Sequence, residues 1–148
     1  MIIRRAHRGD AEICAKILRN WMGENAWFTT PHHPDEDEAF MTSLIVGGWT
    51  SVLELQSGVA GFLVQDKTWL NCLYLAPEFR SHGYGKLLLD HAKNVNPRGL
   101  QLWTFQQNTA AQRFYLREGF REVERTDGSG NDEKLPDIRY VWRMFDEP

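Results

Sequence analysis

Hydrophobic and polar positions along this chain alternate with two periods, two and roughly 3.6 residues, and the switches between them mark out its elements. Ile2–Arg5 reads as a short first strand. Behind a turn at Arg8-Gly9, two rows stepping by four, Ile13-Ile17-Trp21 and Cys14-Leu18-Met22, predict an amphipathic helix with Asp10 as its N-cap. The stretch 23–34 is aromatic and has no clear period. A second helix is expected from Asp35, with Phe40, Met41, Leu44 and Ile45 as its buried side. Three strand-like runs follow in hairpin succession, 50–56, 59–65 and 69–75, with turns at Ser57-Gly58 and Asp66-Lys67. In the third run, alternation puts Asn71, Leu73 and Leu75 on one face and Leu70, Cys72 and Tyr74 on the other. Leu87, Leu88, His91, Ala92 and Val95 recur at helical spacing, and 100–105 reads as the next strand. Asn108 and Gly119 then bound a helix whose Ala111, Phe114, Tyr115 and Glu118 step by three and four. A strand at 120–126, a polar loop at 127–137 and a last strand carrying Ile138, Tyr140, Trp142 and Met144 complete the chain.

Length and composition narrow the function. A chain of 148 residues suffices for one domain with one core, spanning 1–148. No apolar run approaches the roughly 20 residues that cross a bilayer, and the first residues read as a strand rather than a secretory leader. Neither Cys14 nor Cys72 has metal-ligand spacing, so a reducing cytoplasm is the expected location. A net charge of −3 argues against a nucleic-acid partner and permits a basic substrate. Asp35-Glu36-Asp37-Glu38 suit the positive end of a helix dipole; an amine-attracting rim is the alternative reading. His32 and His33 find no partners at ligand spacing, and no metal is expected.

The chemistry concentrates in Arg80-Ser81-His82-Gly83-Tyr84-Gly85-Lys86, between an apolar strand and an amphipathic helix. Two glycines permit a tight turn and let phosphate oxygens approach the backbone. A helix starting there aims its unpaired N–H groups and its positive dipole end at the loop, and Arg80, His82 and Lys86 add side-chain donors. The loop reads as a site for a phosphate-bearing cofactor. A Walker A loop would need Gly at Arg80 and Ser or Thr at Leu87; a dinucleotide fingerprint would need Gly at Leu88.

Arg-x-x-Gly-x-Gly over Arg80, Gly83 and Gly85 resembles the acetyl-CoA loop of the GCN5-related N-acetyltransferases. Asn108, Ala111, Phe114, Tyr115, Gly119 and Phe120 form Asn-x-x-Ala-x-x-Phe-Tyr-x-x-x-Gly-Phe, which resembles the family's second motif. The motifs stand in the family's order with one strand between them, so the resemblance covers essentially the whole chain.

The resemblance implies an α+β fold: a six- to seven-stranded, mostly antiparallel mixed sheet splayed at its centre, with about four helices on its faces. A bulge in the strand before the loop would start the splay. It also implies acetyl-CoA as co-substrate, with its pantetheine arm on Leu73 and Leu75 backbone and its diphosphate on Arg80, Ser81, His82, Gly83, Tyr84, Gly85 and Lys86. Leu75 N–H is the implied oxyanion donor. Tyr115 is the implied general acid toward the leaving thiolate or, alternatively, a helix-face aromatic bonded to sulfur or backbone. Asn108 caps its helix, contacts the pantetheine, or both. Trp27, Phe28, Asn71, Trp103 and Phe105 are implied wall residues for a small-molecule or peptide amine; each could equally be core. Where many relatives carry a carboxylate base, this chain offers only Asn71, with Glu54 and Asp66 as carboxylates that could act through water. A non-catalytic CoA-binding sensor is the competing function. A homodimer is common in the family, and no membrane partner is expected.

Overall fold

A computed structural model describes residues 1–28 and 33–144. Seven strands form one sheet. The first four, β1 (Ile2–Arg5), β2 (Thr50–Leu55), β3 (Gly58–Asp66) and β4 (Trp69–Leu75), lie side by side and antiparallel. A parallel neighbour needs a crossover, and α3 (Tyr84–Val95) supplies it, bringing β5 (Gly99–Phe105) beside β4. Beyond β5 come β7 (Asp137–Arg143) and then β6 (Arg121–Thr126) at the edge, both antiparallel to their neighbours.

The period-two pattern of the strands feeds two cores, one on each face. On one, Cys14 and Ile17 of α1 (Ala11–Glu24) and Met41 and Ile45 of α2 (Pro34–Val46) close over Val52, Phe62 and Val64. On the other, Leu88, Leu89 and Ala92 of α3 and Tyr115 of α4 (Thr109–Arg117) close over residues such as Leu53, Leu63, Leu100 and Tyr140. Neighbours in sequence, such as Val52 and Leu53 or Phe62 and Leu63, thus serve opposite faces.

Four expectations need correction. Phe40 is 49% exposed, because only Met41 and Ile45 of the expected α2 stripe lie fully inside. Asp10 precedes α1 but makes no side-chain cap: its carboxylate accepts from Arg4 at 2.9 and 3.1 Å and from His7 N–H at 2.9 Å. Met144 falls outside β7, which ends at Arg143, and both residues have positive φ. Leu70 does not share a face with Cys72 and Tyr74; it packs with Leu73 and Leu75 against the α3–α4 side. The cause is a bulge: Val64 pairs with Cys72 and Gln65 with Leu70, leaving Asn71 as the extra, exposed residue.

This bulge sits where the sheet divides. β4 and β5 share a single pair, Trp69 with Gln101. Gln101 pins that closed end, donating from its backbone N–H to Thr68 O at 2.8 Å and from its side-chain amide to Thr68 Oγ1 at 2.9 Å. Among the described residues no helix is long and apolar enough to cross a membrane.

Candidate active site

Past Trp69 and Gln101 the two strands part, and a cleft of about 550 Å³ opens between them. Its β4 wall is open backbone. Ala76 N–H donates to Ala60 O at 2.8 Å. Peptide groups alternate sides along an antiparallel strand, so those of Tyr74 and Cys72 also point to β3 while those of Leu73 and Leu75 point into the cleft. Leu75 O is met there by Arg80 Nη2 at 3.4 Å.

The loop at the cleft's end turns on two left-handed residues, Ser81 at φ 64° and Gly83 at φ 82°. At Gly83 a Cβ would meet nothing within 4 Å, so the backbone angle, not space, calls for glycine. Gly83 is the N-cap of α3 and supplies no side-chain cap. Among the described residues no protein acceptor meets the N–H groups of Ser81 through Lys86. Together with the helix dipole these form a ready anion cradle.

The loop's cations are engaged elsewhere. Arg80 forms a two-pronged pair with Glu24 at the end of α1, at 2.6 and 3.0 Å, and holds that carboxyl below its ordinary range. Lys86 lies 3.1 Å from Glu118 and 3.3 Å from Asp90 on the outer face of α3. His82 stacks on Tyr84 and bonds Arg80 O through Nδ1 at 2.7 Å.

Opposite the loop, α4 presents Tyr115. Asn108 starts that helix, its Oδ1 accepting from Ala111 N–H at 3.2 Å, and Gly119 ends it at φ 94°. Tyr115 lines the cleft, and its hydroxyl makes no hydrogen bond among the described residues. Burial, with a smaller contribution from Cys72, raises its pKa. The same desolvation pushes the Cys72 thiol, which also lines the cleft, up to about 12.

On the α1 side an aromatic cluster bridges the parted strands. Trp21 meets Tyr74, Phe28 and Trp27 at centroid distances of 5.2, 5.4 and 5.7 Å. Phe105 of β5 meets Trp27 and Phe28 at 5.6 and 5.8 Å.

Of the residues singled out from the sequence, Leu73, Leu75, Arg80, Ser81, Gly85, Asn108 and Tyr115 line the cleft together with Asn71, Trp103 and Phe105. His82, Gly83, Tyr84 and Lys86 belong to the loop and first helical turn beyond it, and Trp27 and Phe28 reach it through Phe105. Glu54 is occupied by Arg4 on the β1–β2 side, and neither it nor Asp66 lines the cleft. Glu24, Trp21, Cys72 and Tyr74 do line it and were not singled out from the sequence. Their side-chain types carry no motif: β4 itself carries Cys72 and Tyr74, and the approach of α1 to β4 brings Trp21 and Glu24 there. His32 lies outside the described residues; His33 precedes α2, and no metal-ligating cluster occurs among the described residues.

A glycine turn feeding a helix beside two parted strands is the arrangement of acyl-CoA-dependent transferases, and the comparisons make this specific. Residues 47–122 match the family model described as an acetyltransferase (GNAT) domain. The chain belongs to this family and is an N-acetyltransferase. It is 28% identical to the peptidyl-lysine N-acetyltransferase YjaB of Salmonella typhimurium, over 95% of this chain and 97% of that one. It is 35% identical to the spermidine N(1)-acetyltransferase of Thermoplasma acidophilum over 62% of this chain and 52% of that protein. The PaiA N-acetyltransferase of T. acidophilum, solved in complex with coenzyme A, superposes with a TM-score of 0.77 at 23% identity, covering 96% of this chain and 98% of that one.

Proposed function

We propose that residues 1–148 act as one catalytic unit that moves an acetyl group from acetyl-CoA to a primary aliphatic amine. The observation that carries this reading is the open β4 edge: peptide groups of Leu73 and Leu75 that pair with no strand face a cleft ending on a cradle of N–H groups without a protein acceptor among the described residues. Such an edge suits the amides of a pantetheine arm as an added strand would. The cradle suits a diphosphate, and each charge-assisted bond contributes roughly 1.5–3 kcal/mol. The names of the relatives, one acting on peptidyl lysine and one on spermidine, support an alkyl amine as acceptor.

Acetyl-CoA supplies an acyl group already activated as a thioester. The chain's part is to orient the reactants, stabilise charge and move one proton. Leu75 N–H faces the cleft where negative charge develops on the acyl oxygen. Tyr115 keeps its proton because it is buried, and it delivers that proton to the departing sulfur. A phenol is an uphill donor to an ordinary thiolate, whose pKa in water is ~8.5 against ~10. Burial disfavours the charged form of both groups, so it raises the phenol and a thiolate formed beside it alike.

Thiol release over a panel of alkyl amines, alongside a titration of acetyl-CoA, tests this reading. Saturable acetyl-CoA binding with amine-dependent release is expected. Binding without turnover on any amine would instead identify a CoA sensor.

A further inference from the structure

Tyr74 lies between Leu73 and Leu75, the two residues whose peptide groups face the cleft, and its side chain lines the cleft as well. That side chain belongs to the α1–α2 face of the sheet, with Val52 and Phe62. Tyr115 belongs to the other face, with Leu53, Leu63 and Phe120. The two phenols therefore flank the open β4 edge from opposite sides.

The ring of Tyr74 is fixed. It pairs across strands with Phe62, centroids 5.8 Å apart, and Trp21 of α1 lies against it at 5.2 Å. The hydroxyl is not fixed: it makes no hydrogen bond among the described residues. Burial raises its pKa well above the ordinary value, with smaller contributions from Cys72, Tyr115 and Glu133. Those three groups belong to β4, α4 and the 127–136 loop, so the hydroxyl stands within electrostatic reach of three walls. It stays protonated and neutral.

The other polar side chains on this side of the cleft are engaged or set apart. Glu24 is held by Arg80, and Asn25 Nδ2 donates to Trp21 O at 2.7 Å. Asn71, the bulge residue, is exposed near the closed end. Cys72 offers only a thiol, a weak acceptor. The rest of the wall is the aromatic cluster around Trp21 and Phe105. A nitrogen entering past those rings meets one buried oxygen that has no partner.

We propose that Tyr74 orients the attacking amine: its hydroxyl oxygen accepts a hydrogen bond from an N–H of the acceptor, so that the nitrogen lone pair faces an acyl carbon held along Leu73 and Leu75. Tyr115 serves the sulfur from the α4 side, and Tyr74 serves the nitrogen from the α1 side. A phenol oxygen suits this task because it carries no charge that would hold the amine in its protonated form, which cannot attack. Nitrogen bonds to the acyl carbon, the bond from that carbon to sulfur breaks, and sulfur takes the Tyr115 proton. Nitrogen sheds its surplus proton to water, water restores Tyr115, and Tyr74 keeps its own proton throughout. The inference rests on the transferase reading above and adds the residue that receives the acceptor.

Tyr74→Phe removes that oxygen and leaves the ring. Thiol release is measured with the alkyl amine of the panel that the wild type turns over best. The kcat/KM for this amine is expected to fall about 3- to 10-fold, the span of one neutral hydrogen bond. Acetyl-CoA affinity by isothermal titration and the Tm should stay at wild-type values. The crystal structure of the wild type with coenzyme A and the same amine should place nitrogen within ~2.6–3.2 Å of Tyr74 Oη; this structure decides alone if Tyr74→Phe does not fold. Unchanged kcat/KM in Tyr74→Phe, a loss shared by acetyl-CoA affinity, or nitrogen seated anywhere else would overturn the proposal while wild-type turnover upholds the transferase reading. No thiol release by the wild type with any amine would overturn both.

Discussion

The guanidinium of Arg80 grips the carboxylate of Glu24 at 2.6 and 3.0 Å, tying the glycine turn before α3 to the end of α1. The cation best placed for a diphosphate therefore already holds an anion. Both side chains are well exposed, so the pair itself contributes little, about 0–1 kcal/mol. Glu24→Gln should free Arg80 and tighten acetyl-CoA binding up to about fivefold, read by isothermal titration. Arg80→Ala should weaken it by about 10- to 100-fold, the loss of one charge-assisted contact. Weaker binding in Glu24→Gln would mean instead that Glu24 orients Arg80 toward the ligand.

Tyr115→Phe removes a hydroxyl that makes no hydrogen bond among the described residues, so the fold should tolerate it. Turnover should fall by ~10²- to 10⁴-fold, the usual span for a lost general acid, with acetyl-CoA affinity unchanged. Single-turnover measurement of thiol release checks this; full retention of the rate makes Tyr115 a packing residue.

The pH profile follows from two groups with opposite demands. The acceptor must shed a proton, and an alkyl ammonium has a pKa near ~10.4, so log kcat/KM should climb with unit slope through neutral pH. The acid must keep its proton. Burial raises the Tyr115 phenol above its ordinary value, so its ionisation is pushed to higher pH and no alkaline decline should appear below about pH 10. A bell with its falling limb near pH 8 would assign the acid role to another group.

Much of this architecture was legible from periodicity alone. β1 and β4 begin and end where alternation places them, and Asn108 and Gly119 bracket α4 as capping chemistry requires. What escaped was non-local. Strict alternation put Leu70 beside Cys72, and one inserted residue, Asn71, moved it to the opposite face; the resemblance implied a bulge in this strand, but a hydrophobic pattern carries no mark of where it falls. Asp10 has the composition of a cap but is claimed by Arg4 through space. Glu24 and Arg80 are 56 positions apart and meet only after α1 packs on β4. Trp21 read as one more apolar position of α1, yet its ring anchors the cluster that bridges the parted strands.

Gly83→Ala separates turn strain from crowding. The position has open space but φ 82°, which costs a side-chain-bearing residue about 1–2 kcal/mol. Thermal unfolding should show a Tm lower by about 2–8 °C. An unchanged Tm would show that the loop relaxes to a right-handed turn.

The central claim is that coenzyme lies between β4 and β5 with its diphosphate on the turn before α3. The crystal structure of the protein with acetyl-CoA tests it most directly. The account predicts pantetheine amides within hydrogen-bond distance of the Leu73 and Leu75 peptide groups, and phosphate oxygens on the N–H groups of Ser81 through Lys86. Strands β4 and β5 paired beyond Trp69 and Gln101, or coenzyme bound on another face, would contradict it.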